Sequence, residues 1–287
     1  MSLFVQAHGG LGNQLFQAQY AHFIAEIIPE LSVHFRTTHS NDSRDFQLEG
    51  FFDNCPHVTQ RKSRYQLESS KNLILNGMLR RNLTFVEFFI KRLEDDKARS
   101  IEDLKKFVKF GSSASIRGYF QDRIFEASDC FFRALKEAIA KEPVLDMIEY
   151  RTVIHIRKGD FKKFRSHGPL SNEYFESLFT NFASGFSVLH TDAESSQLSA
   201  KIVNRINEVK FSSNNSPWSL LRDSIGAQVF IGSNSTLSWW AATVNEKLNS
   251  GEPAKILFPS DWKRENCDAR EKLIKSNWEI FQSDWES

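Results

Sequence analysis

The sequence is poor in cysteine, in net charge and in long apolar runs, and each shortage excludes a class of protein. Only three cysteines occur among 287 residues, too few and too widely spaced in the sequence for a disulfide framework or a zinc site. Lys and Arg together number 37 against 36 for Asp and Glu, so no strong overall field attracts nucleic acid. We therefore expect a reducing compartment, no bound metal and no nucleic-acid partner.

Long hydrophobic runs are also missing. No stretch reaches the roughly 18 consecutive apolar residues that a membrane-spanning helix requires. The first residues lack the positive charge and long apolar segment of a secretory signal. We expect a soluble cytoplasmic protein without a transmembrane segment, with peripheral attachment to the cytoplasmic membrane as an alternative.

Strand-like and helix-like segments alternate along the chain. The first 35 residues predict a strand at 3–7, a helix at 15–28 ended by Pro29, and a second strand at 31–35. Five strands are predicted in the second half, at 152–156, 186–190, 209–211, 228–231 and 256–258. Helices are predicted between them, at 172–182, 195–206, 217–225 and 236–248. This alternation is typical of doubly wound parallel sheets.

We predict two α/β lobes, 1–145 and 146–287, because Pro143 breaks the helix that precedes it. The lobes would meet near residues 143–150. Residues 53–111 show poor periodicity, and nothing beyond a tendency to helix is predicted there.

A glycine corner follows the first strand, with Gly10, Gly12 and Asn13 as candidate ligand-binding residues. Glycine lets a backbone approach a ligand closely, and the following helix presents unpaired N–H groups to an anion. A plain strand-to-helix turn explains the pattern equally well. The corner is neither a P-loop nor a complete dinucleotide fingerprint, which disfavours a dehydrogenase.

Charged side chains follow the apolar strand at 152–156. Strand alternation places His155 and Arg157 on one face, and Asp160 comes next after a glycine. An Arg guanidinium at a strand's carboxyl end is suited to bind a diphosphate. The alternative is a surface ion pair between Arg157 and Asp160. Lys158 would either assist or face water.

A third pattern, Ser233, Asn234, Ser235 and Thr236, follows the strand at 228–231 and precedes a helix. Hydroxyl and backbone N–H groups there could bind a phosphate, or Ser235 or Thr236 could simply cap the helix. We expect at least one of the next two tryptophans, Trp239 and Trp240, to pack in the core.

The fourth pattern centres on Asp192, after the strand at 186–190. Its carboxylate could hold a ribose hydroxyl or a base, or could cap the next helix. A metal pair formed by Asp192 and Glu194 is disfavoured because one turn rarely completes an octahedral site.

Taken in order, five motifs resemble those of bacterial α-1,2-fucosyltransferases of glycosyltransferase family eleven. The motifs lie at 9–17, 118–121, 155–160, 169–175 and 234–240. The resemblance runs from residue 9 to about Trp262. It departs at Ala193, where the family has a second aspartate, and at Leu237, where it has phenylalanine.

The resemblance implies a GT-B-like α/β fold, two Rossmann-like lobes with a cleft between them. It also implies inverting, metal-independent transfer of L-fucose from GDP-fucose to the 2-hydroxyl of a galactose in a surface glycan such as an O-antigen. The C-terminal lobe would bind GDP-fucose, and the N-terminal lobe would help to bind the galactose-containing acceptor. In the family the motif that matches His155, Arg157 and Asp160 is associated with the donor.

The residue types suggest roles within this scheme. Arg157 and the donors at 233–236 would stabilise the leaving diphosphate, and Asn13 would orient the diphosphate or the acceptor. The base is Asp160, His155 or His8, in falling order of preference. Another GDP-sugar, another acceptor linkage, and a sugar-nucleotide-binding protein without catalysis remain as alternatives.

Overall fold

The computed structural model describes residues 2–37, 45–55, 57–61, 91–94, 113–121, 128–142, 150–163, 168–249, 251–263 and 273–286. The chain divides into two units, Met1–Leu135 and Lys136–Ser287. The division falls within a helix, Asp129–Ala140, upstream of the predicted boundary at 145. Residues 143–149, where Pro143 was expected to separate the lobes, lie outside the described residues.

The first unit contains a parallel sheet with the strand order β3-β2-β1-β5-β4. Its strands are β1 (Ser2–Ala7), β2 (Ser32–Thr37), β3 (Val58–Arg61), β4 (Lys91–Glu94) and β5 (Ser113–Arg117). Its helices are α1 (Leu11–Ile27) and α2 (Asp129–Ala140), the latter ending in the second unit. The strands predicted at 3–7 and 31–35 are confirmed within a residue or two at each end.

The second unit contains a parallel sheet with the order β8-β7-β6-β9-β10-β11. Its strands are β6 (Thr152–Ile156), β7 (Ser187–Thr191), β8 (Glu208–Phe211), β9 (Val229–Ile231), β10 (Lys255–Pro259) and β11 (Glu279–Phe281). Its other helices are α3 (Asn172–Phe182), α4 (Ala200–Val203), α5 (Pro217–Ser224) and α6 (Thr236–Leu248). Two short 3-10 turns lie at Asp160–Lys163 and Ser195–Gln197.

The strand order of the second sheet fixes where a ligand can bind. Numbered along the chain from β6, the order reads 3-2-1-4-5-6, that of a doubly wound nucleotide-binding fold. The order reverses between β6 and β9, which are paired in parallel. Loops leaving neighbouring strands at such a point diverge and open a crevice at the carboxyl ends.

Local capping explains why the helices start where they do. Ser216 accepts a hydrogen bond from the Trp218 N–H (3.2 Å), with Pro217 at the first helical position, as predicted. Ser235 caps α6 in the same manner, and this helix has the predicted bounds. The helix predicted at 195–206 is wrong as one element, because extended backbone at Leu198 and Ser199 splits it into a 3-10 turn and α4.

The core of the second unit lies on both faces of its central strands. Every residue of β6 and β7 is buried, as expected for interior strands of a parallel sheet. Trp239 and Trp240 are both buried, and the Trp239 indole N–H donates to the Leu273 carbonyl (2.6 Å). The prediction that at least one tryptophan packs in the core is confirmed. No described helix combines the length and the apolar character needed to traverse a membrane.

Gly232, at the end of β9, leaves no room for a side chain. A Cβ atom there would lie 2.7 Å from the Phe258 ring, which packs against Trp262 and Trp278. We predict that Gly232→Ala lowers the free energy of unfolding by about 1–3 kcal/mol, the usual cost of overpacking. Urea denaturation measures this. Gly251→Ala, at an exposed position facing only the Asn249 side chain, is the control, and an equal loss in both variants would contradict the prediction.

Candidate functional site

The loop that leaves β6 is held by the carboxylate of Asp192. Asp192 Oδ1 accepts hydrogen bonds from the backbone N–H groups of Lys158 (2.7 Å) and Gly159 (3.1 Å). A Cβ atom at Gly159 would lie 2.4 Å from Asp192 Oδ2, so only glycine lets the backbone approach this closely. Asp192 does not cap the following helix. Its role as a nucleotide ligand stays a prediction.

Arg157 lies between two carboxylates at the carboxyl end of β6. Its Nη1 lies 2.8 Å from Asp192 Oδ2 and its Nη2 lies 2.6 Å from Asp160 Oδ1, and its side chain is 17% exposed. The Arg157–Asp160 ion pair, the alternative to a ligand-binding role, is therefore present. A guanidinium has five N–H groups, and these contacts leave some of them to meet an anionic ligand.

Lys158 neither assists Arg157 nor faces water. Its side chain is fully buried and forms an ion pair with Glu286, and its Nζ donates to Asn172 Oδ1 at 2.8 Å. Asn172 begins α3 within the motif at 169–175. Because a buried ammonium group needs such partners, Lys158 fastens the C-terminal segment and α3 to the loop after β6.

His155 connects the ends of β6 and β9. Its Nδ1 lies 2.6 Å from Ser238 Oγ, and Ser238 Oγ accepts a hydrogen bond from the Ser233 N–H at 3.1 Å. Burial, followed by the positive charge of Arg157, lowers the pKa of His155 well below its usual value. The ring is therefore neutral at physiological pH. The partner that the structure gives it is the buried Ser238, and its catalytic role stays a prediction.

The loop after β9 uses most of its side chains internally. Asn234 Nδ2 donates to the carbonyls of Gly168 and Trp262, each at 3.3 Å. Ser235 Oγ accepts from the Leu237 N–H at 3.3 Å, so the capping alternative is correct for Ser235. Thr236, the first residue of α6, is half-buried. What this loop can offer an anion is chiefly the positive end of the 13-residue helix α6.

A second polar cluster, around Asp223, was not found from the sequence. Asp223 Oδ2 contacts His190 Nε2 (2.9 Å) and Lys210 Nζ (2.6 Å), and Oδ1 accepts from the Arg222 guanidinium. Burial alone would raise the pKa of Asp223, but hydrogen bonds from His190, Lys210 and Arg222 outweigh it and lower the pKa to about 2. No local pattern signals this cluster, because His190 and Asp223 lie on separate elements, β7 and α5.

The glycine corner lies in the first unit. Gly10 is the extended residue before α1, and Gly12 and Asn13 lie in the first turn, so the helix begins before the predicted residue 15. Gly9 has φ +78°, and a Cβ there would lie 2.6 Å from Asn13 Nδ2. The Asn13 Oδ1 accepts a hydrogen bond from Gln121 Nε2 at 2.9 Å, which joins the first two motifs.

His8, the third base candidate, belongs to the same corner. Its backbone N–H donates to Gln17 Oε1 (3.0 Å), and its Nδ1 lies 2.9 Å from Gln17 Nε2. The Gln17 amide also donates to the Gly118 carbonyl at 3.0 Å. The motifs at 9–17 and 118–121 thus form one connected polar region.

The five motifs gather into two groups, one in each unit. Arg157, Asp160 and Asp192 form one contact cluster, and His155 joins Ser233 through Ser238. Gly10, Gly12 and Asn13 belong to the other group. The motif residues after β6 and β9 lie where the strand order reverses, and their role in binding a ligand stays a prediction.

No protein-family model matches the chain, and no curated protein matches it. Solved structures do. E. coli heptosyltransferase WaaC with ADP is similar at TM-score 0.50 and 10% identity, covering 98% of this chain and 93% of that one. E. coli ADP-heptose lps heptosyltransferase II is similar at TM-score 0.51 and 9% identity, covering 98% and 90%. The fold is therefore GT-B-like with two Rossmann-like lobes, as predicted.

The lowered pKa of Asp223 predicts how stability depends on pH. The contribution of this carboxylate is complete above its ordinary pKa of 3.8 and is lost as the pH falls towards about 2. Asp223→Asn should be less stable than the wild type at neutral pH, and this deficit should shrink by about 2 kcal/mol as the medium is acidified through that range. Urea unfolding at a series of pH values from 6 down to about 2 tests this, and parallel stability curves for the two proteins would refute it.

Proposed function

We propose that this protein is a sugar-nucleotide glycosyltransferase that moves L-fucose from GDP-fucose to the 2-hydroxyl of a galactose in a surface glycan. Support comes from the sequence motifs, the sheet topology and the likeness in fold. The five motifs resemble those of family-eleven fucosyltransferases, the second unit has the Rossmann strand order, and the whole chain is similar in fold to two GT-B enzymes. The donor would bind in the second unit and the acceptor would use the first.

One observation carries the proposal. Arg157 lies at the carboxyl end of the first strand of a 3-2-1-4-5-6 sheet, where the strand order reverses, and Asp192 fixes its guanidinium. The neighbouring strand at this point, β9, leads into the N-terminus of α6. A fixed cation and a helix N-terminus at one reversal point are what a diphosphate requires.

The reaction starts with the fucose C1–O bond. As it breaks, the bonding electrons pass to the β-phosphate oxygen of GDP and the sugar becomes oxocarbenium-like. Arg157 and the N–H groups at the start of α6 stabilise the negative charge that grows on the diphosphate, so no metal ion is needed. The acceptor oxygen attacks C1 from the opposite face, which inverts the configuration.

Asp160 is the preferred base for the proton of the acceptor hydroxyl. Its carboxylate is 29% exposed, whereas His155 is 4% exposed with its Nδ1 beside Ser238. Asp160 is held by Arg157, so diphosphate binding to the guanidinium would compete with this ion pair, and weakening it would make the carboxylate a better proton acceptor. This order of events couples donor binding to activation of the acceptor.

In the first unit, Gly10, Gly12 and Asn13 would serve the acceptor side. The hydrogen bond from Gln121 fixes the Asn13 amide, leaving the Asn13 Nδ2 to point its N–H groups elsewhere. Gly9, with φ +78°, lets the backbone turn sharply between β1 and α1, so the start of the helix can approach a sugar hydroxyl or a phosphate closely.

Nucleotide release from a panel of sugar nucleotides tests the proposal. GDP-fucose is compared with other GDP-sugars and with ADP-, UDP-, CDP- and dTDP-sugars, with EDTA or magnesium, and with or without a β-galactoside. We expect GDP release from GDP-fucose alone, insensitive to brief EDTA treatment and accelerated by the β-galactoside. Release from an ADP-sugar would replace the donor, and this arm is included because ADP is named with one E. coli enzyme and ADP-heptose with the other. Binding of a sugar nucleotide without turnover would indicate a non-catalytic protein.

Arg157→Ala should lower kcat for transfer by about 100-fold or more, because the leaving diphosphate loses its cation. Arg205→Ala is the matched control. Arg205 precedes the amino end of β8, whereas Arg157 follows the carboxyl end of β6, and the Arg205 guanidinium contacts Thr180. Steady-state GDP release measures both variants, and circular dichroism verifies folding. A folded, fully active Arg157→Ala enzyme would eliminate this role.

The Asp160→Asn variant tests whether Asp160 is the catalytic base or only positions Arg157. If Asp160 is the base, kcat for transfer falls by about 100-fold or more while GDP affinity is retained or rises, because the diphosphate no longer competes with this carboxylate for Arg157. If Asp160 only positions Arg157, GDP affinity falls together with kcat. Calorimetric titration with GDP and initial-rate kinetics distinguish the two, and an unchanged kcat would reject both roles.

A further inference from the structure

Three side chains of types that commonly bind metals lie close together in the first unit, although they are far apart in the sequence. One ring nitrogen of His22 and the Sγ atoms of Cys55 and Cys130 all lie within 4.8 Å of one another. His22 belongs to α1, Cys55 to the turn that follows Leu48, and Cys130 to the first turn of α2. Wide spacing in the sequence therefore does not keep these two cysteines apart.

We propose that His22, Cys55 and Cys130 bind a thiophilic divalent cation of the zinc class. The two sulfur atoms lie 3.8 Å apart. Zinc binds thiolate sulfur at about 2.3 Å, and tetrahedral geometry then separates two sulfur ligands by about 3.8 Å. The observed spacing needs almost no adjustment at the sulfur atoms. The His22 ring requires a shift of less than about 1.5 Å to reach a normal zinc–nitrogen distance.

The state of His22 is a second observation that points to a ligand. This side chain is 2% exposed, and its Nε2 has no hydrogen-bond partner among the described residues. Buried polar atoms without partners are rare, and an absent ion is one standard reason for them.

Neighbouring aromatic rings fix the orientation of His22. The imidazole stacks on Phe52 at 5.6 Å and meets the edge of Phe131 at 5.6 Å. Phe52 and Phe131 come from the same two elements that supply the cysteines. A ligand held in place by packing loses little entropy on binding, so the site is preorganised.

A redox disulfide explains fewer of these contacts. A bond between Cys55 and Cys130 would consume both sulfur atoms and leave the His22 ring without a partner. In the structure the Cys130 thiol donates to Cys55 Sγ, the Cys55 thiol contacts the Phe51 carbonyl at 3.9 Å, and Arg133 donates to Cys130 Sγ at 3.6 Å. Cys55 and Cys130 are thus free cysteines whose sulfur atoms lie side by side.

Binding exchanges two thiol protons for one cation. Each S–H releases its proton to solvent, and the two thiolates and the neutral imidazole donate electron pairs to the ion, with water at the fourth position. Cys130 is half-buried and provides the route of entry. The ion would fasten α1, the turn before β3 and α2 together, so it stabilises the first unit and takes no part in transfer.

Cobalt titration of the reduced full-length protein tests the site. Co²⁺ bound by thiolates in tetrahedral geometry gives sulfur-to-cobalt charge-transfer absorption and intense visible bands. We expect one equivalent of Co²⁺, displaced by Zn²⁺, and a rise in the melting temperature on binding either ion. Cys130→Ser should reduce the charge-transfer intensity by about half or abolish it, because one of two thiolates is removed. Cys130 is half-buried, so this substitution tests the site with little risk to folding.

Two controls decide the result. Cys267→Ser, which changes the remaining cysteine, should retain one equivalent of Co²⁺, and His22→Gln should lose the tetrahedral bands. Elemental analysis of protein expressed with added zinc gives the stoichiometry. The proposal is overturned by absent binding, by binding that survives both Cys130→Ser and His22→Gln, or by a Cys55–Cys130 disulfide that forms readily in the presence of zinc.

Discussion

The carboxylate of Asp192 fixes the path of the backbone after β6, and the proposed donor site depends on that path. One of its oxygens accepts two backbone N–H groups while the other holds Arg157. Such charge-assisted contacts are among the stronger hydrogen bonds in proteins, and this carboxylate is largely shielded from water. Gly159 is the steric counterpart, since any Cβ there would collide with Asp192. The guanidinium therefore has one defined direction.

The fold of the second unit places Arg157 beside a crevice. A 3-2-1-4-5-6 parallel sheet opens a crevice between β6 and β9, and the His155–Ser238–Ser233 connection ties the two strand ends together. Lys158, next to Arg157, strengthens this arrangement through its buried ion pair with Glu286. Buried polar contacts of this kind are costly when incomplete, so the loops around the crevice are held in a single arrangement.

Sequence reasoning succeeded where one local signal determines structure. The bounds of β6 and α6 follow from an apolar run and from a serine followed by a helical pattern, and the motifs after β6 and β9 were placed at the correct strand ends. It failed where partners are distant. The residues next to Lys158 in the sequence do not signal its burial, because its partner Glu286 is more than a hundred residues away along the chain. Asp223 likewise has the local pattern of a surface residue, and only the folded structure brings Lys210 and His190 into contact with it. The contact between the sulfur atoms of Cys55 and Cys130 is another long-range contact of this kind.

Hydrogen exchange with and without GDP tests the central claim most directly, because it locates the nucleotide without requiring an acceptor. The account predicts that saturating GDP slows amide exchange in the segments 156–163 and 232–238, on the two sides of the β6–β9 crevice. ADP and UDP at the same concentration should protect these segments less. Protection confined to other parts of the chain, or none at concentrations that saturate binding, would contradict the assignment of this crevice as the donor site.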